Sequence, residues 1–92
     1  MQLKIIGIDQ SEQFNVAWVE LQTKMGNFII QPEHAPMIIE LQPNSQIRFC
    51  LDNSKQKTFD ILGGFAHVTR TDVTVSINNS LWRAIISLPA IA

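Results

Sequence analysis

The sequence predicts an all-β protein, a flattened antiparallel β-sandwich or barrel of about 8 to 10 short strands with a short C-terminal tail. Three observations predict this fold. Apolar and polar residues alternate over short segments, which is the period of a strand with one buried face. Turn-forming residues separate these segments at intervals of about 8 to 12 residues. No segment before residue 79 shows a helical period.

The first half of the chain predicts four strands. They cover residues 3–8, 14–21, 28–30 and 37–41. In the first strand Leu3 and Ile5 share one face, and in the second the alternation slips register around Val19. Pro32 ends the third strand and Pro43 follows the fourth, because proline cannot donate a hydrogen bond to the neighbouring strand.

The second half predicts four more strands with a clearer alternation. They cover residues 47–52, 57–62, 65–69 and 73–77. Phe49 alternates with Cys50, so Cys50 is expected on the outer face, as a packing or half-exposed thiol. His67 is likewise expected to point outward from its strand. Gly63 and Gly64 permit a bend between two strands because glycine lacks a side chain.

The last residues have a different composition, and we expect a boundary between a sandwich domain, residues 1–78, and an apolar tail, residues 79–92. Nine of the twelve residues from Leu81 to Ala92 are apolar. Ser80 could cap a helical turn, although Pro89 would limit that helix to about two turns. A final edge strand is an equal alternative.

Composition and charge exclude several classes of protein. With 92 residues, 46% hydrophobic and 16% charged, the chain forms one domain and is not disordered. A net charge of −1 argues against binding to nucleic acid or to an anionic membrane surface. The single cysteine excludes an internal disulfide, and no apolar run approaches the roughly 20 residues of a membrane span. The N-terminus lacks the apolar region of a signal peptide, so we expect a cytoplasmic protein.

Candidate catalytic and binding side chains do not form a recognisable set. His34 could be a metal ligand or a general base, but neither it nor His67 belongs to a motif with metal-ligand spacing. Cys50 lacks the surroundings of a catalytic nucleophile. Trp18 and Trp82 could stack on nucleic-acid bases, but no basic groove accompanies them. These residues predict no enzyme activity, no metal site and no cofactor.

Two blocks of sequence resemble a known family. Residues 26–36 read Gly-Asn-Phe-Ile-Ile-Gln-Pro-Glu-His-Ala-Pro, which resembles the Gly-x-Phe-x-Ile-x-Pro-x-His-Ala-Pro signature of the epsilon subunit of rotary (F-type) ATP synthases. Residues 63–68, Gly-Gly-Phe-Ala-His-Val, are similar to that family's Gly-Gly-Phe-x-Glu-Val, and residues 73–75 are similar to its closing strand. The spacings agree from residue 26 to residue 77.

The resemblance implies a function as well as a β-sandwich. It implies a non-catalytic rotor subunit of the central stalk, which links the gamma shaft to the membrane c-ring during proton- or sodium-coupled ATP synthesis. Such a subunit would lie at the cytoplasmic, peripheral face of the inner (plasma) membrane, touch the membrane only through the c-ring, and need no homo-oligomer. The family usually continues into a C-terminal helical hairpin that can inhibit the enzyme. Residues 79–92 are too few for that hairpin, so we expect a short form that transmits torque without inhibition.

The resemblance also implies roles for particular residues. The loop facing the c-ring would contain Asn27, Gln31, Pro32, Glu33 and His34. The residues facing gamma would be Met37, Ile39 and Leu41. The structural bend would consist of Gly63, Gly64 and Phe65.

Two other functions stay open. One is a stand-alone β-sandwich that binds a peptide or a small ligand, and the other is a small hydrolase that uses His34 or Cys50. A neighbouring gene for a catalytic beta subunit would favour the rotor role, and co-purification with a gamma subunit would test it directly.

Overall fold

The computed structural model describes residues 1–79, and within them the chain forms eight strands and no helix. The strands are β1 (Gln2–Ile6), β2 (Ser11–Thr23), β3 (Gly26–Ile30), β4 (Met37–Leu41), β5 (Ser45–Leu51), β6 (Gln56–Ile61), β7 (Gly64–Val68) and β8 (Asp72–Ile77). The all-β prediction is therefore confirmed. None of the described residues belongs to a helix that could cross a membrane. The predicted tail, beyond Asn79, lies outside the described residues.

The strands form one curled sheet in the order β4-β7-β8-β1-β2-β5-β6, and β3 pairs with the second half of β2. All neighbours are antiparallel except β1 and β8, which run parallel. This parallel pair is the one departure from the predicted antiparallel arrangement among the strands of residues 1–79. β1 and β8 come from opposite ends of the described chain, so no hairpin constrains their relative direction.

Strand β2 joins the two halves of the curled sheet. Its first residues pair with β1, and its later residues pair with β3 on one side and β5 on the other. The pairing with β5 shifts register between Val16 and Trp18. This irregularity confirms the predicted slip in β2 but places it just before Val19. Because of this shift, the side chains of Val19 and Leu21 face the core, as the side chain of Val16 does.

Every strand contributes to one hydrophobic core, because the curled sheet closes around it. Leu3 and Ile5 are fully buried, as their alternation predicts. At the centre, the ring of Phe49 lies 4.9 Å from that of Phe14 and 5.5 Å from that of Phe59. These tilted and edge-on contacts add to the burial of the three rings.

Cys50 is buried, which decides between the packing and the half-exposed thiol expected from the sequence in favour of the packing one. It pairs with Trp18 across β2 and β5, at the register shift, and its Sγ lies 3.5 Å from the carbonyl oxygen of Leu51. The large, half-buried neighbour explains how a residue on the outer face can lose its contact with solvent. His67 is exposed, as predicted.

The strand register places the connections at two ends of the sandwich. Residues 31–36 and 69–71 lie at one end, which we call the loop end. Residues 7–10, 62–63 and 78–79 lie at the other, which we call the exit end because the described chain leaves there. Backbone hydrogen bonds join the connections within each end. Strands of five residues separate the two ends by about 13 to 17 Å.

Candidate interaction surface

The loop of residues 31–36 connects β3 to β4 and is held against the neighbouring β7–β8 connection. The backbone N–H of Glu33 donates to the carbonyl oxygen of Arg70 at 2.8 Å. Within the loop, the N–H of His34 donates to the carbonyl of Gln31 at 3.2 Å. Glu33 has a left-handed φ of 69°, and two prolines restrict the backbone on either side of it. The loop is therefore a constrained projection at the loop end.

His34 is half-buried in this loop, with its Nδ1 atom 3.0 Å from the carbonyl oxygen of Ala35. The contact holds the imidazole close to its own backbone. Among residues 1–79, no three side chains of the metal-binding types come together. The geometry of His34 therefore fits a structural or contact residue of the loop.

Asn27 does not lie with the other residues expected to face the c-ring. It stands near the start of β3, about 13 Å along the chain from Gln31. Its side-chain amide donates to Oε2 of Glu20 at 3.2 Å, and Oε1 of Glu20 accepts from Nε of Arg48 at 2.8 Å. Asn27 is therefore part of a polar row on the outer face of β3, β2 and β5.

Strand β4 presents a different face from the one expected. Ile39 and Leu41 are 5% and 2% exposed and belong to the core, so their side chains do not lie at the surface. Ile38, between Met37 and Ile39, is 75% exposed. Of the residues expected to face gamma, Ile39 and Leu41 therefore point into the core and Met37 is half-buried, whereas Ile38 is the exposed apolar residue of β4. Contact with gamma itself stays a prediction.

The sequence contained a signal for this face. Residues 37–39 are all apolar, so alternation in them fits two opposite orientations of the strand. Glu40 distinguishes these orientations, because a carboxylate is rarely buried without a partner and Ile38 shares its face. The structure accordingly exposes both residues.

An apolar groove lies between the β2–β3 hairpin and β4, with a volume of about 430 Å³. Its lining includes Met25, Phe28, Met37 and Ile38, with Lys24 and Glu40 among the residues around it. Met25, at the hairpin turn, is 90% exposed. Within residues 1–79, β3 pairs only with β2, and β4 pairs only with β7. Exposed apolar side chains beside strands with free edges are typical of a contact surface.

The predicted bend contains one glycine, Gly64, that cannot be replaced by another residue unless the neighbouring backbone shifts. A β-carbon on Gly64 would lie 1.9 Å from the carbonyl oxygen of Ser76 on β8. Phe65 follows on β7 with an exposed ring, and it pairs with Glu40 of β4. Gly64 thus allows close approach of two strands.

Comparison with known proteins gives a family match that covers most of the chain. The family model described as the beta-sandwich domain of the ATP synthase delta/epsilon chain matches residues 1–83. A search among curated proteins found no match.

Two solved cryo-EM structures share the fold. One is the Euglena gracilis mitochondrial ATP synthase, OSCP/F1/c-ring in rotational state 1, with a TM-score of 0.76 and 24% identity over 82% of this chain. The other is the Tetrahymena thermophila mitochondrial ATP synthase, central stalk/c-ring, with a TM-score of 0.73 and 14% identity over 86% of this chain. The matches span 48% and 63% of those longer chains.

Proposed function

The chain belongs to the ATP synthase delta/epsilon beta-sandwich family, and from this premise we propose that it is a non-catalytic rotor subunit of the central stalk of a rotary ATP synthase. In this role it links the gamma shaft to the c-ring and rotates with them. The observation that carries the proposal is the adjacency of two surfaces. The constrained loop of residues 31–36 leads directly into β4, which lines the apolar groove.

The loop suits contact with a rotating ring. Gln31, Pro32, Glu33 and His34 supply polar and apolar groups at the loop end, where they would meet the polar loops of the c-ring. The backbone hydrogen bond from Glu33 to Arg70 ties this projection to the β7–β8 connection. A coupling element must resist deformation under torque, and such a bond shortens the free length of the loop.

The groove suits contact with the shaft. Met25 and Ile38 hold much of their apolar surface in solvent, although fully burying a side chain of this size contributes about 1.5 to 3 kcal/mol. An apolar helix or strand of gamma that fills the groove would cover both. Methionine also adapts its shape to a partner, because it has three rotatable bonds.

The proposed subunit works in a peripheral position. It serves proton- or sodium-coupled ATP synthesis on the cytoplasmic side and reaches the membrane only through the c-ring. The chemistry of ATP belongs to other subunits of the complex. The sandwich acts as a mechanical connection.

Binding to the gamma subunit tests the proposal. The chain is mixed with its cognate gamma subunit, and the dissociation constant is measured by isothermal titration calorimetry. Replacement Ile38→Lys should weaken binding by about 100-fold, because it removes an apolar contact and introduces a charge into the interface. The control Ile29→Lys changes another exposed isoleucine, which lies opposite Glu20 on the polar outer face.

Two results would count against the proposal. A chain that fails to bind gamma under any condition is not a central-stalk subunit. Equal losses from Ile38→Lys and Ile29→Lys would show that the groove is not the contact surface. Saturable binding of a small ligand in the groove, together with no binding of gamma, would instead support the stand-alone ligand-binding alternative.

A further inference from the structure

Two exposed apolar side chains stand at the exit end, and neither belongs to the lining of the groove or to the loop of residues 31–36. Ile8 is 75% exposed and Leu62 is 58% exposed. Both are joined to Asn79, where the described part of the chain stops. The N–H of Ile8 donates to the carbonyl of Asn79 at 3.3 Å, and the N–H of Leu62 donates to Oδ1 of Asn79 at 3.2 Å. Asn79 therefore lies between the backbones of Ile8 and Leu62.

Asn79 is fixed at this point by a third hydrogen bond. Its side-chain amide donates to the backbone carbonyl of Asp60 on β6 at 3.3 Å. In addition, the N–H of Asn78 donates to the carbonyl of Gly63 at 3.0 Å. The position of Asn79 is thus determined by the 62–63 connection and β6 together.

The sequence that follows Asn79 is complementary to this surface. Nine of the twelve residues from Leu81 to Ala92 are apolar. Arg83 is the only charged residue among residues 80–92. Two acidic residues flank these positions in sequence, Asp9 next to Ile8 and Asp60 two residues before Leu62, and Oδ1 of Asp60 accepts a hydrogen bond from Nε2 of Gln46 at 2.9 Å. The two exposed side chains and the following segment are therefore both apolar, and the acidic residues beside the former have the opposite charge to Arg83 in the latter.

We propose that residues 81–86 dock in cis over Ile8 and Leu62 and cover this end of the sandwich. Leu81 lies two residues beyond Asn79, within about 7 Å of it along an extended chain, so the segment begins next to the patch. A tethered segment has an effective concentration in the millimolar range, which favours it over a second copy of the chain or an outside partner. The exit end lies opposite the loop end, so docking leaves the loop of residues 31–36 uncovered. The inference does not depend on the proposed rotor function.

Tryptophan fluorescence tests the docking in the full 92-residue chain. In a Trp18→Phe background, Trp82 is the single tryptophan, and its quenching by acrylamide reports whether it is covered. We expect a blue-shifted, weakly quenched Trp82. The double replacement Ile8→Ser and Leu62→Ser should lower the ratio of docked to undocked tail by about tenfold or more and raise quenching accordingly. The matched control Met25→Ser removes an exposed apolar side chain of the groove and should change nothing.

A second variant tests the charge component without touching the patch. Arg83→Glu should also raise quenching of Trp82, because it places a carboxylate near Asp9 and Asp60. That increase should shrink between 0.05 and 0.5 M salt, values chosen to shorten the Debye length from about 14 to about 4 Å. Far-UV circular dichroism verifies that each variant retains the β fold.

Three results would overturn the proposal. In the first, Trp82 is freely quenched in the unsubstituted background. In the second, the Ile8 and Leu62 replacements change quenching no more than Met25→Ser. In the third, protection of Trp82 depends on protein concentration and coincides with dimer formation in analytical ultracentrifugation, which would assign the patch to a second copy.

Discussion

Replacement of Gly64 by alanine is the sharpest test of how this sandwich is packed. The new β-carbon would lie 1.9 Å from the carbonyl oxygen of Ser76 and 3.0 Å from Cα of Ile77. Both atoms belong to the backbone of β8, so no side-chain rotation can relieve the overlap. The φ angle of Gly64, +147°, is also one that residues with a side chain rarely adopt. The substitution must therefore separate β7 from β8 locally or change the backbone of residue 64.

The losses in free energy of unfolding from the unfavourable backbone conformation and from the steric overlap can be estimated separately. An unfavourable backbone conformation costs about 1 to 3 kcal/mol. Forcing an extra methyl group into a packed site costs about 1 to 3 kcal/mol more, so the expected loss of stability for Gly64→Ala is about 2 to 6 kcal/mol. A domain of this size has a free energy of unfolding of about 5 to 14 kcal/mol. The variant should consequently lose a large part of its stability.

Gly26→Ala provides a matched control. Gly26 also has a positive φ, +120°, but a β-carbon there would meet nothing within 4 Å. The control should therefore show the backbone cost alone, about 1 to 3 kcal/mol. Urea unfolding followed by circular dichroism gives both values from the transition midpoints and slopes. If Gly64→Ala costs no more than Gly26→Ala, the close approach of β7 and β8 is refuted.

Three further predictions concern the core, the polar row and the thiol. Phe49→Ala should lower the free energy of unfolding by about 3 to 5 kcal/mol, because Phe49 is buried, whereas Phe65→Ala should change it by about 0.5 kcal/mol, because Phe65 is exposed. Similar losses for the two variants in urea unfolding would contradict the burial of Phe49 and the exposure of Phe65. Arg48→Ala should lower the free energy of unfolding by less than about 1 kcal/mol, because the Arg48 side chain is 52% exposed in its ion pair with Glu20. A loss of stability that is unchanged in high salt would contradict a surface ion pair that salt screens. Cys50 should react with a disulfide reagent about 100-fold more slowly in the native chain than in urea, and equal rates would contradict its burial.

The sequence predicts the position of much of the candidate interaction surface, and it marks the outward face of β4 only through Glu40. The proline-bracketed loop and strand β4 were located correctly, because proline and alternating polarity act locally along the chain. The resemblance implies contact residues at Met37, Ile39 and Leu41, whereas the exposed apolar residue of β4 is Ile38. The run of three apolar residues fits both orientations of the strand, and only the neighbouring Glu40 distinguishes them. Met25 was missed because a lone apolar residue in a turn carries no periodic signal.

Local periodicity and turn chemistry are enough to predict the elements, namely the strands, the approximate bounds of most of them and the glycine bend. Which strands are neighbours, and what each outer face meets, depends on the folding of the sheet as a whole. The parallel pairing of β1 with β8 and the burial of Cys50 beside Trp18 arise between residues far apart in sequence. The close approach at Gly64 is likewise a property of two strands together. Backbone preference is set within a few residues, whereas pairing and burial depend on how the whole sheet curls around its core.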